Sequence, residues 1–121
     1  MANSPLKFSF RDGESIRIPC IFKTVNPDGT RTPINLTGKR LTLEFWERGK
    51  SVVMLALDSS QTMNLFGAKI EIIDAVGGSF EIFIPAFQIA QMPKSFGEYR
   101  LWLHEPNGDS RVLAKGLFGK Q

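Results

Sequence analysis

The chain has 121 residues, with 15 Lys and Arg against 12 Asp and Glu, one His, one Cys and a formal net charge of +3. That length fits one domain, 1–121, large enough to bury a core without disulfide or metal. No apolar run approaches the roughly 18 residues of a membrane-spanning helix, the lone Cys20 excludes an internal disulfide and a cysteine-paired metal site, and the mild positive excess is not that of a dedicated nucleic-acid binder.

Short alternating runs separated by turn signals recur along the chain, the rhythm of a sandwich or barrel. The N-terminal residues Met1 to Pro5 lack the pattern of a Sec signal peptide. Leu6 to Phe10 predicts a first strand, closed by Asp12-Gly13. Ser15 to Val25 predicts a second, with Ile16, Ile18, Cys20 and Phe22 on one face. Pro19 lies on the other parity and has no N–H, which marks an edge strand or a bulge. Asn26 to Thr30 is a turn: Pro27 presets φ and Gly29 accepts positive φ. Arg31 to Gly38 reads as an irregular connection. Lys39 to Glu47 alternates Leu41, Leu43 and Phe45 with polar residues, and Ser51 to Asp58 returns beside it after the Arg48-Gly49-Lys50 turn.

Ser59 to Phe66 carries no clear period. Ala68 to Asp74 predicts a strand with Ile70 and Ile72 inward, Gly77-Gly78 a turn, and Ser79 to Pro85 its partner with Phe80, Ile82 and Ile84 inward. Phe87 to Lys94 is a one- or two-turn helix stopped by Pro93. Glu98 to His104 is a strand with Tyr99, Leu101 and Leu103 inward. Asn107-Gly108 is a hairpin turn, and Ser110 to Lys115 returns, with Gly116 to Gly119 extending it or forming a last edge. The expected fold is all-β: an antiparallel Ig-like β-sandwich with seven to nine strands and at most one short helix. A jelly roll or small barrel is the next choice. Parallel pairing needs long crossovers, which the short connections do not supply. The expected core includes Phe8, Ile18, Phe22, Leu41, Leu43, Ile72, Ile82, Ile84, Leu101 and Leu103.

Residues for chemistry are sparse. Nucleophilic catalysis calls for a nucleophile with a base in a buried site. His104, the one histidine, falls on the outer parity and reads as a solvated surface residue. Cys20 falls on the apolar parity and reads as a small hydrophobe. The carboxylates, Glu44 and Glu47 or Glu71 and Asp74 included, read as outward charges. No glycine-rich loop precedes a helix. Asn35-Leu36-Thr37 matches the glycosylation pattern by coincidence, since no secretory signal accompanies it. The expectation is a protein that is not an enzyme and takes no cofactor. A nucleic-acid- or carbohydrate-binding β module is the alternative, because Arg100, Trp102 and His104 alternate on one face where a base can stack. The other basic residues, Lys120 among them, are spread between acids.

Trp46, Phe83 and Trp102 stand apart. Each opposes the apolar parity of its own strand, so regular pleating turns three large aromatics away from the core. Such residues mark a contact surface unless a bulge, or a cover such as 87–94, buries them.

Pro33-Ile34-Asn35-Leu36-Thr37-Gly38, before an alternating strand, resembles the P-[IV]-[DN]-L-T-G signature of small phage virion domains. Phe10-Arg11-Asp12-Gly13 stands before it as their F-x-x-G does. Gly78 to Ala86 matches their Gly-led strand ending in Pro-Ala. Gly97 to Leu103 matches G-x-Y-x-[LY]-x-[LV], and Leu113 to Phe118 is close to L-x-x-G-x-[FV]. In order and spacing the chain is similar to the Ig-like N-terminal domain of phage baseplate upper proteins and related tail proteins. Two departures are Asn35 for the commoner Asp, and a chain that stops where longer members continue into a fibre or baseplate module. The resemblance implies a virion structural protein without catalytic residues: a tail or baseplate adaptor, a head–tail joining protein or a capsid decoration protein. Its expected partners are other virion subunits, including a second copy of itself in a homo-oligomer, with neither membrane nor nucleic acid. Its expected place is the virion, and the host cytoplasm during assembly.

Overall fold

The computed structural model describes residues 8–49, 53–61, 67–92 and 96–120. Ten strands and one short helix follow in order: β1 Phe8–Phe10, β2 Ile16–Ile21, β3 Lys23–Val25, β4 Arg31–Pro33, β5 Arg40–Glu47, β6 Val53–Asp58, β7 Lys69–Asp74, β8 Ser79–Ile84, α1 Ala86–Gln91, β9 Phe96–His104 and β10 Ser110–Lys120. One sheet has the order β1-β10-β9-β5-β6 and the other β2-β8-β7, while β3 and β4 form a two-stranded ribbon. β10, β9, β5 and β6 take the places of strands G, F, C and C′ of an immunoglobulin sandwich, and β2, β8 and β7 those of B, E and D. The fold is therefore the expected Ig-like β-sandwich. Cys20 lies on β2, but β9 has no cysteine, and apolar packing stands where antibody domains carry an inter-sheet disulfide.

The core forms because both sheets alternate. Leu41, Leu43 and Phe45 of β5, Tyr99, Leu101 and Leu103 of β9, and Phe80, Ile82 and Ile84 of β8 are fully buried in one apolar cluster. Many of the phenylalanines meet here. Phe8 stands edge-on to Tyr99 at 4.9 Å and to Phe45 at 5.0 Å between ring centres, and Phe45 to Phe118 at 5.3 Å. Edge-to-face pairs of this kind add about 0.5–1.5 kcal/mol beyond their buried area.

Several expectations need correction. The described residues hold ten strands rather than seven to nine. The run Ser15 to Val25 breaks at Phe22, whose N–H donates to Gly78 O (3.1 Å) and whose carbonyl accepts from Ile34 N–H (2.9 Å). Those bonds leave the β2·β8 ladder and start a separate ribbon. Its other strand, β4, lies in the stretch expected to be irregular, and Ile34 and Leu36 just beyond it are buried. Gly78 makes this junction possible: it has φ +69, and a Cβ there would sit 2.6 Å from Phe22 O. One pair, β1·β10, is parallel. It needs no local crossover, because nearly the whole domain separates its two strands. Ile18 and Ile72 are half-buried rather than buried, as both belong to edge strands of the smaller sheet.

The helix starts at Ala86 and sends Ile89 into the core, but leaves Phe87 exposed. The stopping Pro93 lies outside the described residues, as do Leu6, Lys7, Lys50 to Val52 and 62–66 of the expected elements. Lys120, grouped with the scattered basic residues, is buried. Its Nζ donates to the carbonyls of Ile89 and Met92 at the end of α1 and pairs with Asp12 at 2.9 Å.

Candidate interaction surface

The outer face of the five-stranded sheet follows directly from its register. Opposed residues on neighbouring strands point to the same side. Glu98 of β9 has Leu117 of β10 on one flank and Trp46 of β5 on the other. Arg100 has Lys115 and Glu44, and Trp102 has Val112 and Thr42. Apolar side chains and charges of both signs therefore alternate over one surface.

Trp46 and Trp102 share this face, and both are half-buried. Neither the exposed pair nor the covered pair of the two sequence readings describes them fully. Trp102 Nε1 donates to Glu44 Oε1 at 3.0 Å. The Arg100 guanidinium lies 5.7 Å from the Trp46 ring centre and 3.7 Å from Glu98. Trp46 Nε1 is buried without a hydrogen-bond partner among the described residues. The ladder to β6 shifts register at this level, with Met54 of β6 the extra residue, while the pairing of β5 with β9 stays regular through Trp46.

Phe83 does not join them. It lies on the smaller sheet, half-buried, with the Arg17 guanidinium 4.4 Å from its ring centre. Arg17 also pairs with Glu81. α1 buries Gln88 and Ile89, and residues 93 and 94 of the cover considered for these aromatics lie outside the described residues.

His104 is half-buried rather than simply solvated. Its Nε2 and the Thr42 hydroxyl are 2.7 Å apart, as are its Nδ1 and the Ser110 hydroxyl. These bonds fasten β9 to both neighbours. Cys20 is buried as expected, and burial pushes its thiol up to about 11. Among the described residues no group of three or more His, Cys, Asp or Glu is placed to hold a metal ion, and no helix is long and apolar enough to cross a membrane.

Two large contributors to the face were missed from sequence. Phe96 is 67% exposed and Leu117 is 74% exposed. Phe96 shares the outward parity of Glu98 and Arg100, and reading the strand from Phe96 rather than Glu98 exposes the pattern. Leu117 was hidden by a bulge. The pairing slips between Val112 and Ala114, so the parity before Leu113 does not carry through to Leu117. Leu117, Glu98 and Arg100 form a ridge between two open clefts. The first, about 450 Å³, is lined by Trp46, Arg48 and Phe96 as well as the ridge. The second, about 510 Å³, adds Trp102, Val112 and Lys115.

No protein-family model matches the chain, and no curated protein matches it. Among solved structures, one of murine CRIg is similar over 98% of this chain and 93% of that chain, with 14% identity and a TM-score of 0.46.

Proposed function

We propose that the chain is a non-enzymatic structural subunit of a phage or prophage virion, acting through subunit contacts at the tail or baseplate, the head–tail junction or the capsid surface. The observation that carries this reading is the order of the five sequence motifs, which run from Phe10 to Phe118 with the spacing of phage virion domains. The face bearing Trp46, Phe96, Trp102 and Leu117 supplies a surface suited to such contacts. In the nucleic-acid alternative, Arg100, Trp102 and His104 would meet a base. Glu44 beside Trp102 and Glu98 beside Arg100 instead set carboxylates on that same face, which disfavours a polyanion there.

The test is particle composition. Virions are purified by density gradient from a lysate that expresses the chain, and its peptides are quantified against the major structural proteins. A constant stoichiometric ratio supports the assignment. Presence in the lysate without presence in particles rejects it.

A further inference from the structure

The two flanks of β9 on the outer face complement each other. Leu117 and Trp46 lie one strand to either side of β9, both level with Glu98. Lys115 and Glu44 do the same at Arg100, and Val112 and Thr42 at Trp102. A two-fold axis in the interface, running along β9, keeps each level and exchanges the two flanks. We propose that a second copy of this chain docks here about that axis. This rests on reading the outer face as a contact surface.

In that arrangement β10 of each copy lies over β5 of the other. Leu117, the most exposed large hydrophobic described, enters the cleft lined by Trp46 and Phe96. Lys115 meets Glu44 across the interface. Within one copy these two charges stand two strands apart, roughly 9.6 Å in backbone spacing. Lys115 instead has Arg100 directly opposite, a like-charge neighbour that disfavours the isolated face. On the axis itself each Arg100 faces the other copy's Arg100 and each Glu98 the other Glu98, with the opposite charge one level along the strand, so the flanking Leu117–Trp46 and Lys115–Glu44 contacts must outweigh a like-charge centre.

The dimensions also fit. Five strands at about 4.8 Å spacing give a width of roughly 24 Å, and the nine residues of β9 about 30 Å of length. With β1 only three residues long and β6 six, the face is on the order of 600 Å², the lower end of the roughly 600–1,000 Å² per partner of a stable interface. Twofold symmetry makes such a contact isologous and closed, so it stops at a dimer.

Sedimentation velocity over a concentration series tests this with three variants of the purified chain. The wild type is expected to dimerise. Lys115→Glu, Glu44→Lys and Leu117→Arg are each expected to weaken the dimer about tenfold or more. An equimolar mixture of Lys115→Glu and Glu44→Lys is expected to dimerise again, because each reversed charge then faces its complement. That mixture separates a cross-interface pair from damage within one copy, such as loss of the Trp102 acceptor in Glu44→Lys. A wild type that stays monomeric, a mixture that fails to recover, or a dimer that survives Leu117→Arg overturns the proposal. A monomer that still enters particles overturns the dimer and leaves the virion assignment standing. A dimer absent from particles does the reverse.

Discussion

A methyl group on Gly97 would sit 1.9 Å from the Trp46 carbonyl oxygen and 2.7 Å from the Phe118 ring. β9 passes so close to β5 here that only hydrogen fits. Gly97→Ala must push the two strands apart, at a cost of about 3 kcal/mol or more. A urea melt of the variant with an unchanged midpoint would contradict this. The Cys20 thiol makes a second case. It is buried, its Sγ lies 3.7 Å from Ile18 O, and its pKa of about 11 keeps it protonated at neutral pH. Thiolate is the reactive form. Cys20 is therefore expected to react slowly with iodoacetamide in the native protein and readily in urea, as followed by mass spectrometry; equal rates in both would refute the burial. Both features escape sequence reading to different degrees. Cys20 was placed by parity. Nothing in the local pattern around Gly97 shows that another strand crosses it.

At the scale of elements, two polar devices hold ends together. Lys120 closes β10 onto the carbonyls of Ile89, which also accepts from the Met92 N–H, and of Met92 at the end of α1, and onto Asp12 in the β1–β2 connection. Hydrogen bonds to a charged group contribute about 1.5–3 kcal/mol. Lys120→Met keeps the stem and removes the charge, so it is expected to lose about 2 kcal/mol by thermal or urea melting. No loss would mean that the ammonium contributes nothing. Asp58 ends β6. Its burial alone raises its pKa, but hydrogen bonds from Ser60 N–H and Oγ and from Arg40, at 2.7 Å, together bring it below the ordinary 3.8. A carboxylate depressed in the folded state stabilises above its unfolded value, and that stability is lost as pH falls through the lower folded value. The wild type should therefore lose stability relative to Asp58→Asn as pH drops below about 3.8, in melts taken across the acid range. Parallel curves would show the bonds to be unimportant. The strands themselves were legible because period-two alternation survives wherever one face is buried. β3 was read only as the end of one long strand and β4 not at all, because their ribbon leaves the core. Its residues run half-buried or exposed, and no apolar stripe reports it.

For the molecule as a whole, parity located Trp46 and Trp102 on the outside but did not reveal that Phe83 belongs to the opposite sheet. Sheet membership depends on long-range pairing, which alternation within one strand does not encode. Register supplied what periodicity lacked, joining Trp46, Phe96 and Leu117 into one surface. Strand order has a further bearing on biosynthesis. β10, the last of the ten strands in chain order, is inserted between β1 and β9. Until it emerges, Phe8 and Phe10 have no strand partner and one side of β9 lies open. Such long-range closure is slow compared with local pairing. Nascent chains stalled with β10 still inside the ribosome are thus expected to be cleaved readily by added protease within β1 and around Gly97. Chains extended by a linker that frees Lys120 should resist. Equal resistance at both lengths would mean that the sheet does not wait for its final strand.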